Sequence, residues 1–142
     1  MAVKTYENLN IAEAAYQSGF RTLIEAAKKA GLYDLLVSGQ DITVFAPDDH
    51  AFNLIQTGVT GSFLKIESRE RIADILKYHI VSHAMTSDQV VSVDDIEMMN
   101  GEMVEVFKRD HTILINNSRI IQPDIYAKNG IIHSIDKVLM PE

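Results

Sequence analysis

Residues 129–141 run Asn129-Gly130-Ile131-Ile132-His133-Ser134-Ile135-Asp136-Lys137-Val138-Leu139-Met140-Pro141. The first pair reads as a hairpin-type turn, because Asn and Gly tolerate the positive φ that tight hairpins demand. Beyond it the residues alternate, with Ile131, His133 and Ile135 on one side and Ile132, Ser134 and Asp136 on the other. His133 therefore shares a face with two isoleucines. Such a residue reads as a core histidine whose nitrogens are both satisfied, not as a catalytic group.

Upstream, the texture from residue 92 onward is of short β segments. Asn100-Gly101 and Asn116-Asn117 repeat the hairpin signal. Between the turns lie Met103-Val104-Glu105-Val106-Phe107, Thr112-Ile113-Leu114-Ile115 and Arg119-Ile120-Ile121; Pro123 sits where a strand must end or lie at an edge. Strands this close together predict an antiparallel meander, sandwich or partly closed barrel.

From Asn10 to about Ile80 the apolar spacing is helical. Asn10 with Glu13 three positions on makes a capping box, and Gly19 stops that helix. Phe20, Leu23, Ile24 and Ala27 mark a second helix over 20–30, with Lys28 and Lys29 suiting its C-terminal dipole and Gly31 as its left-handed stop. A short helical turn follows over 33–37. Thr43-Val44-Phe45-Ala46 has the character of a buried strand, ended by Pro47, and Asp48 or Asp49 caps the helix that turns back. That helix carries Ala51, Phe52, Leu54 and Ile55 inward and breaks near Gly58. Another covers 67–78, with Ile72, Ile75, Leu76 and His79 on one stripe. No composition break separates the halves, so the reading is a single α+β domain with one shared core.

Composition narrows the function. The net charge is −7, and an acidic surface repels phosphate backbones, so nucleic-acid binding is not expected. The chain has no Cys, which removes disulfides, thiolate zinc sites and thiol catalysis. Apolar runs fall far short of the ~20 residues a bilayer needs. Residues 1–7 lack a basic n-region and an apolar h-region.

Three stretches in order resemble the fasciclin (FAS1, beta-Ig-H3) domain family: residues 43–52, Tyr78-His79 at a helix end, and residues 129–141. The resemblance implies a wedge-like antiparallel β-sandwich with helices from the N-terminal half packed around it, as one FAS1 domain over 10–142 behind a tail of residues 1–9. It also implies a non-enzymatic adhesion or recognition module, without a cofactor, that meets a cell-surface or matrix protein or glycan as a monomer. Location would be extracellular, cell-surface or periplasmic, with a leader or anchor outside this sequence; a cytoplasmic site stays open. The positions matching the family's adhesion motifs are Tyr78, His79, Asp124 and Ile125. Gln122-Pro123-Asp124-Ile125-Tyr126 departs at both ends from the animal Glu-Pro-Asp-Ile-Met form, and Ser82-His83 stands where Pro-Gly is common. The structural motif positions are Thr43, Phe45, Pro47, Asp48, Asn129, Gly130, His133 and Asp136.

Other constellations read as structure. His79 and His83 have the i, i+4 spacing of a metal pair, but Ile80-Val81 between them reads as helix exit and no metalloprotease Glu accompanies them. Asp48, Asp49 and His50 are too divergent in direction to ligate one ion. Asp94-Asp95 reads as solvated loop, and Asn116-Asn117-Ser118, which fits the glycosylation pattern, reads as a hairpin turn. Met98, Met99 and Met103 read as edge packing; the alternative is an apolar-ligand groove that they form with Ile120, Ile121, Ile125 and Tyr126, carotenoid-like in its cargo.

Overall fold

The computed structural model describes residues 4–6, 8–53 and 69–139. The helices begin and end where local chemistry places them. Helix α1 (Ile11–Gln17) starts at a complete capping box, with Asn10 Oδ1 accepting from the Glu13 N–H at 2.8 Å and Glu13 Oε1 accepting from the Asn10 N–H at 3.1 Å. Gly19, at φ +91°, turns the chain into α2 (Arg21–Ala30), which stops at left-handed Gly31. Helices α3 (Tyr33–Ser38), α4 (Asp49–Asn53) and α5 (Arg69–Lys77) follow, and a further turn, α6 (Ser87–Val90), comes later. The stripe on α5 is buried as its spacing predicts. The expected inward positions Leu54 and Ile55 and the break at Gly58 lie outside the described residues.

Among the described residues eight strands form the sheet: β1 (Lys4–Tyr6), β2 (Ile42–Pro47), β3 (Ile80–Val81), β4 (Asp95–Glu97), β5 (Met103–Arg109), β6 (Thr112–Ile115), β7 (Ser118–Ala127) and β8 (Gly130–Ile135). Their order is β3-β2-β8-β7-β6-β5-β4, with β1 joined to β7. The α+β architecture is as expected, but the sheet is mixed: β2 runs parallel to β8, and β1 parallel to β7. The strand β1 falls in the stretch read as a tail, and it joins the sheet there. At the far end, Met99 N–H donates to Ile80 O at 2.8 Å, which nearly closes the sheet.

The central strands are covered on both faces, and β8 is buried at all six positions. Alternation along β2 sorts its side chains between two cores. Ile42, Val44 and Ala46 meet Ile132 and the helices, whereas Phe45 meets Ile135, Val104 and Ile115 from the curled β4–β6 layer. Eight further buried side chains complete that second core.

Two readings of the β half shift. The β7–β8 hairpin pairs Ala127 with Gly130, so its turn is Lys128-Asn129 and Gly130 is the first strand residue. Gly130 has no positive φ; it is small because a Cβ there would lie 2.1 Å from Ile42 O. Nor does Pro123 end its strand. It lies inside β7, at a bulge where the register with β8 slips and Asp124 turns to φ +57°.

Gly130→Ala should therefore cost about 3 kcal/mol, because backbone must move to admit the methyl. Gly101→Ala meets nothing within 4 Å and carries only the penalty of a left-handed φ, about 1 kcal/mol. Urea unfolding of the two variants should rank them in that order.

Candidate functional site

The matched polar residues converge on the segment of residues 83–87, which links β3 to α6. Thr43 is fully buried, and its Oγ1 donates to His83 O and accepts from the Met85 N–H, both at 2.7 Å. From the next strand His133 Nε2 reaches Met85 O at 2.8 Å. Asp124 takes Ser87 at both oxygens, the N–H at 2.8 Å and the hydroxyl at 2.5 Å. The Asp124 N–H, freed from the ladder by the bulge, donates to His133 Nδ1 at 3.1 Å. An N–H can only donate, so Nδ1 is the acceptor and the His133 proton sits on Nε2, pointing at Met85. Phe45 stacks on this ring at 5.5 Å between centroids.

His79 repeats the arrangement at the helix–sheet joint. Its Nε2 accepts from the Leu139 N–H at 2.8 Å, which puts the proton on Nδ1, 2.7 Å from Ile75 O. Its own carbonyl accepts from the Phe45 N–H. Both imidazoles are neutral links between distant stretches of chain. Burial pushes His79 down from 6.5 to about 4, against the pull of the Ile75 carbonyl. Burial lowers His133 too, opposed by its bond to Met85 O and by the charge of Asp124.

Tyr78 is also interior. Its hydroxyl donates to Met103 O at 2.9 Å and accepts from Asn116 Nδ2 at 3.0 Å, tying the end of α5 to the β5 and β6–β7 corners. Ile125 is buried in the helical core. Of the four positions matching adhesion motifs, then, Tyr78, His79 and Ile125 are covered, and half-buried Asp124 has both oxygens engaged.

The remaining motif residues are joints. Asp48 Oδ1 accepts from the Ala51 N–H and caps α4, while Asp49 Oδ1 accepts from the Thr22 N–H at 2.9 Å. The adjacent acids thus cap two helices, and the second serves α2, whose own cap position, Phe20, supplies no side-chain bond. Pro47 is buried at the end of β2. Asn129 Oδ1 accepts from the Ile11 N–H at 2.8 Å, and its amide donates to Leu36 O and Gly39 O. Asp136 accepts from the Arg119 N–H and pairs with its guanidinium at 3.8 Å.

The metal and groove alternatives do not assemble. Both His79 nitrogens are taken and His83 is exposed. Among the described residues no group of three or more His, Asp or Glu could hold a metal ion. The apolar-groove residues are dispersed: Ile125 is in one core, Met98 and Ile120 in the other, and Met103 and Ile121 are on the surface. Among the described residues no helix is long and apolar enough to cross a membrane.

A family model for the fasciclin domain matches residues 18–141. The chain belongs to the fasciclin family. This fasciclin domain is 35% identical over 128 residues to the protein sll1483 of Synechocystis, covering 90% of this chain and 71% of the relative. It is 33% identical to a second Synechocystis protein, sll1735, covering 92% and 97%. It is also 30% identical to the pig transforming growth factor-beta-induced protein ig-h3, covering 86% of this chain but only 18% of that one. Among solved structures it is similar to a FAS1 domain pair from the insect cell adhesion molecule fasciclin I, with a TM-score of 0.73 and 18% identity over 95% of this chain and 52% of that chain.

Two predictions follow from the buried network. A folded-state pKa below the unfolded value means the unfolded chain takes the proton first, so stability is complete above the unfolded pKa and falls as pH drops toward the folded one. For His79 the loss between about pH 6.5 and 4 is on the order of 3 kcal/mol, and His133 acts in the same direction. Urea unfolding across that range should show the decline; a level profile down to about pH 5 removes the assignment. Asp124→Ala should cost about 2 kcal/mol and speed amide exchange at Met85 and Ser87 before the core opens.

Proposed function

We propose that this fasciclin domain is a non-enzymatic adhesion or recognition module that works outside the cell or at its surface and meets a protein partner through the outer face of β4–β7. The observation that carries the reading is that Met103, Phe107 and Ile121, exposed by 49%, 48% and 40%, all lie on that one face, with half-buried Leu114 beside Phe107. Pairing aligns Phe107 with Leu114 and Leu114 with Arg119 across β5–β7, so these side chains share the outward side. Isolated exposed apolar residues need no explanation, but three large ones on one side of one sheet layer favour an interaction surface.

Charge on the face supports a protein partner. Asp95 stands directly opposite Glu105 and Glu97 beside Met103, while Arg109 follows Phe107 along β5 and Arg119 stands beyond Leu114 on β7. Like charges directly opposite weaken a sheet, and a cation from the partner would relieve this pair. A surface carrying both signs around an apolar centre suits another protein better than a phosphate backbone or an anionic bilayer. The naming of a structural relative as a cell adhesion molecule favours the same reading. The patch is small, so strength would come from many copies on a surface.

In this reading Tyr78, His79, Asp124 and Ile125 serve adhesion indirectly, by fixing the corners that carry the face. Plates coated with the domain should retain cells of its source. Phe107→Asp should cut retention about ten-fold with an unchanged melting temperature. Retention equal to the parent's would overturn the reading.

A further inference from the structure

We infer a second binding site, a cleft for a neutral oligosaccharide chain, on the helical side of the molecule. A cavity of ≈ 520 Å³ opens between the start of α1, the α3–β2 loop and the β7–β8 turn. A neighbouring groove of ≈ 280 Å³ runs along α1 and α2 to Tyr16 and Tyr33, and Glu13 lines both. The two form one polar path with aromatic rings at one end.

The frame is rigid before any ligand arrives. Asn129, on the β7–β8 turn, bonds to backbone groups of Ile11 on α1 and of Leu36 and Gly39 at the end of α3, and so ties the three walls of the larger cavity together. On its rim Asn8, Gln40, Asp41 and Lys128 come from three separate stretches, and their side chains have no hydrogen-bond partner among the described residues. An amide pairs a donor with an acceptor in one plane and a carboxylate offers two acceptors, spacings that meet neighbouring hydroxyls of a sugar ring. The groove end adds Tyr16, 56% exposed, and Tyr33, each with a cation over its ring: Arg21 at 5.6 Å and Lys28 at 5.2 Å. The face of exposed Tyr16 that Arg21 leaves open offers an apolar platform to the C–H face of a pyranose, with half-buried Tyr33 beside it.

Charge selects among ligands. Glu13 and Asp41 are balanced by Lys28 and Lys128 along the path, so neither a polyanion nor a polycation gains from long-range attraction. A peptide would find no strand edge to pair with in the cleft and few apolar pockets for its side chains. A chain of hydroxylated, uncharged rings fits both ends. The site shares no residue with the outer β4–β7 face, so it stands or falls apart from the protein-contact reading.

The test is titration of the isotope-labelled domain with cellohexaose and mannohexaose, followed by amide chemical shifts. Shifts should centre on Asn8, Gln40, Asp41, Lys128 and Tyr16, and saturate with a Kd of about 1 mM for at least one sugar. The double variant Gln40→Ala/Lys128→Ala and the single Tyr16→Ala should each weaken binding about ten-fold, whereas Phe107→Asp should leave it unchanged. Three results overturn the site: no shifts with either sugar at about 10 mM, shifts that persist in the double variant, or the same shifts produced more tightly by a heparin hexasaccharide or a Gly-Ser-Gln peptide. Loss of cell retention by Phe107→Asp with sugar binding intact separates the two surfaces.

Discussion

One buried ring holds the middle of this molecule together. His133 accepts from Asp124 N–H on the neighbouring strand and donates to Met85 O in the segment before α6. Without it the buried Met85 carbonyl would be unpaired, at about 1–3 kcal/mol, and the part-buried Asp124 N–H would lose its partner. The arrangement needs an imidazole, because it needs a donor and an acceptor on opposite sides of one flat group. It needs a neutral one, because a second ring proton would face the Asp124 N–H. The bulge at Pro123 is part of the same constraint. Pro removes a ladder donor, Asp124 enters the left-handed region, and the N–H so released is the one His133 receives.

Local chemistry was readable from the sequence wherever cause and effect lie within one turn of chain. The capping box at Asn10 and Glu13, the left-handed stop at Gly31 and the alternation through His133 all act over a few residues. The family resemblance rested on such stretches. What escaped depends on partners far away in sequence. Lys4–Tyr6 has no strand signature of its own and is extended because it pairs with Ile125, Tyr126 and Ala127. Gly130 looks like a turn glycine, yet its smallness answers to Ile42 O on a parallel neighbour. Asp49 sits beside a helix cap and serves a different helix.

The same logic explains why the motif residues are poor guides to a contact surface. Tyr78, His79, Thr43 and His133 are polar, so they draw the eye as candidates for binding, but each is buried and occupied by backbone partners. Polar groups in a core are there because they are satisfied there. The side chains left with unspent capacity are ordinary in sequence: Phe107 in a strand, Gln40 and Asp41 in a loop, Lys128 in a turn. Nothing in their spacing marks them, since what unites them is which face the finished fold presents.

The division of the core into two bears on how those faces act. The helices pack on one side of the central strands and the β4–β6 layer on the other, with β8 buried between them. The polar cleft is built on the helical side, and the apolar face belongs to the β4–β7 layer, so contacts at one need not disturb the other. Well-packed layers resist deformation, so on the two proposed readings the domain would act as a rigid spacer between two weak surfaces. Two weak contacts on one rigid body become useful when copies are held at high density, because a second contact then forms at an effective concentration that can reach the millimolar range. A small domain with shallow surfaces can in this way hold firmly in numbers while each copy lets go readily.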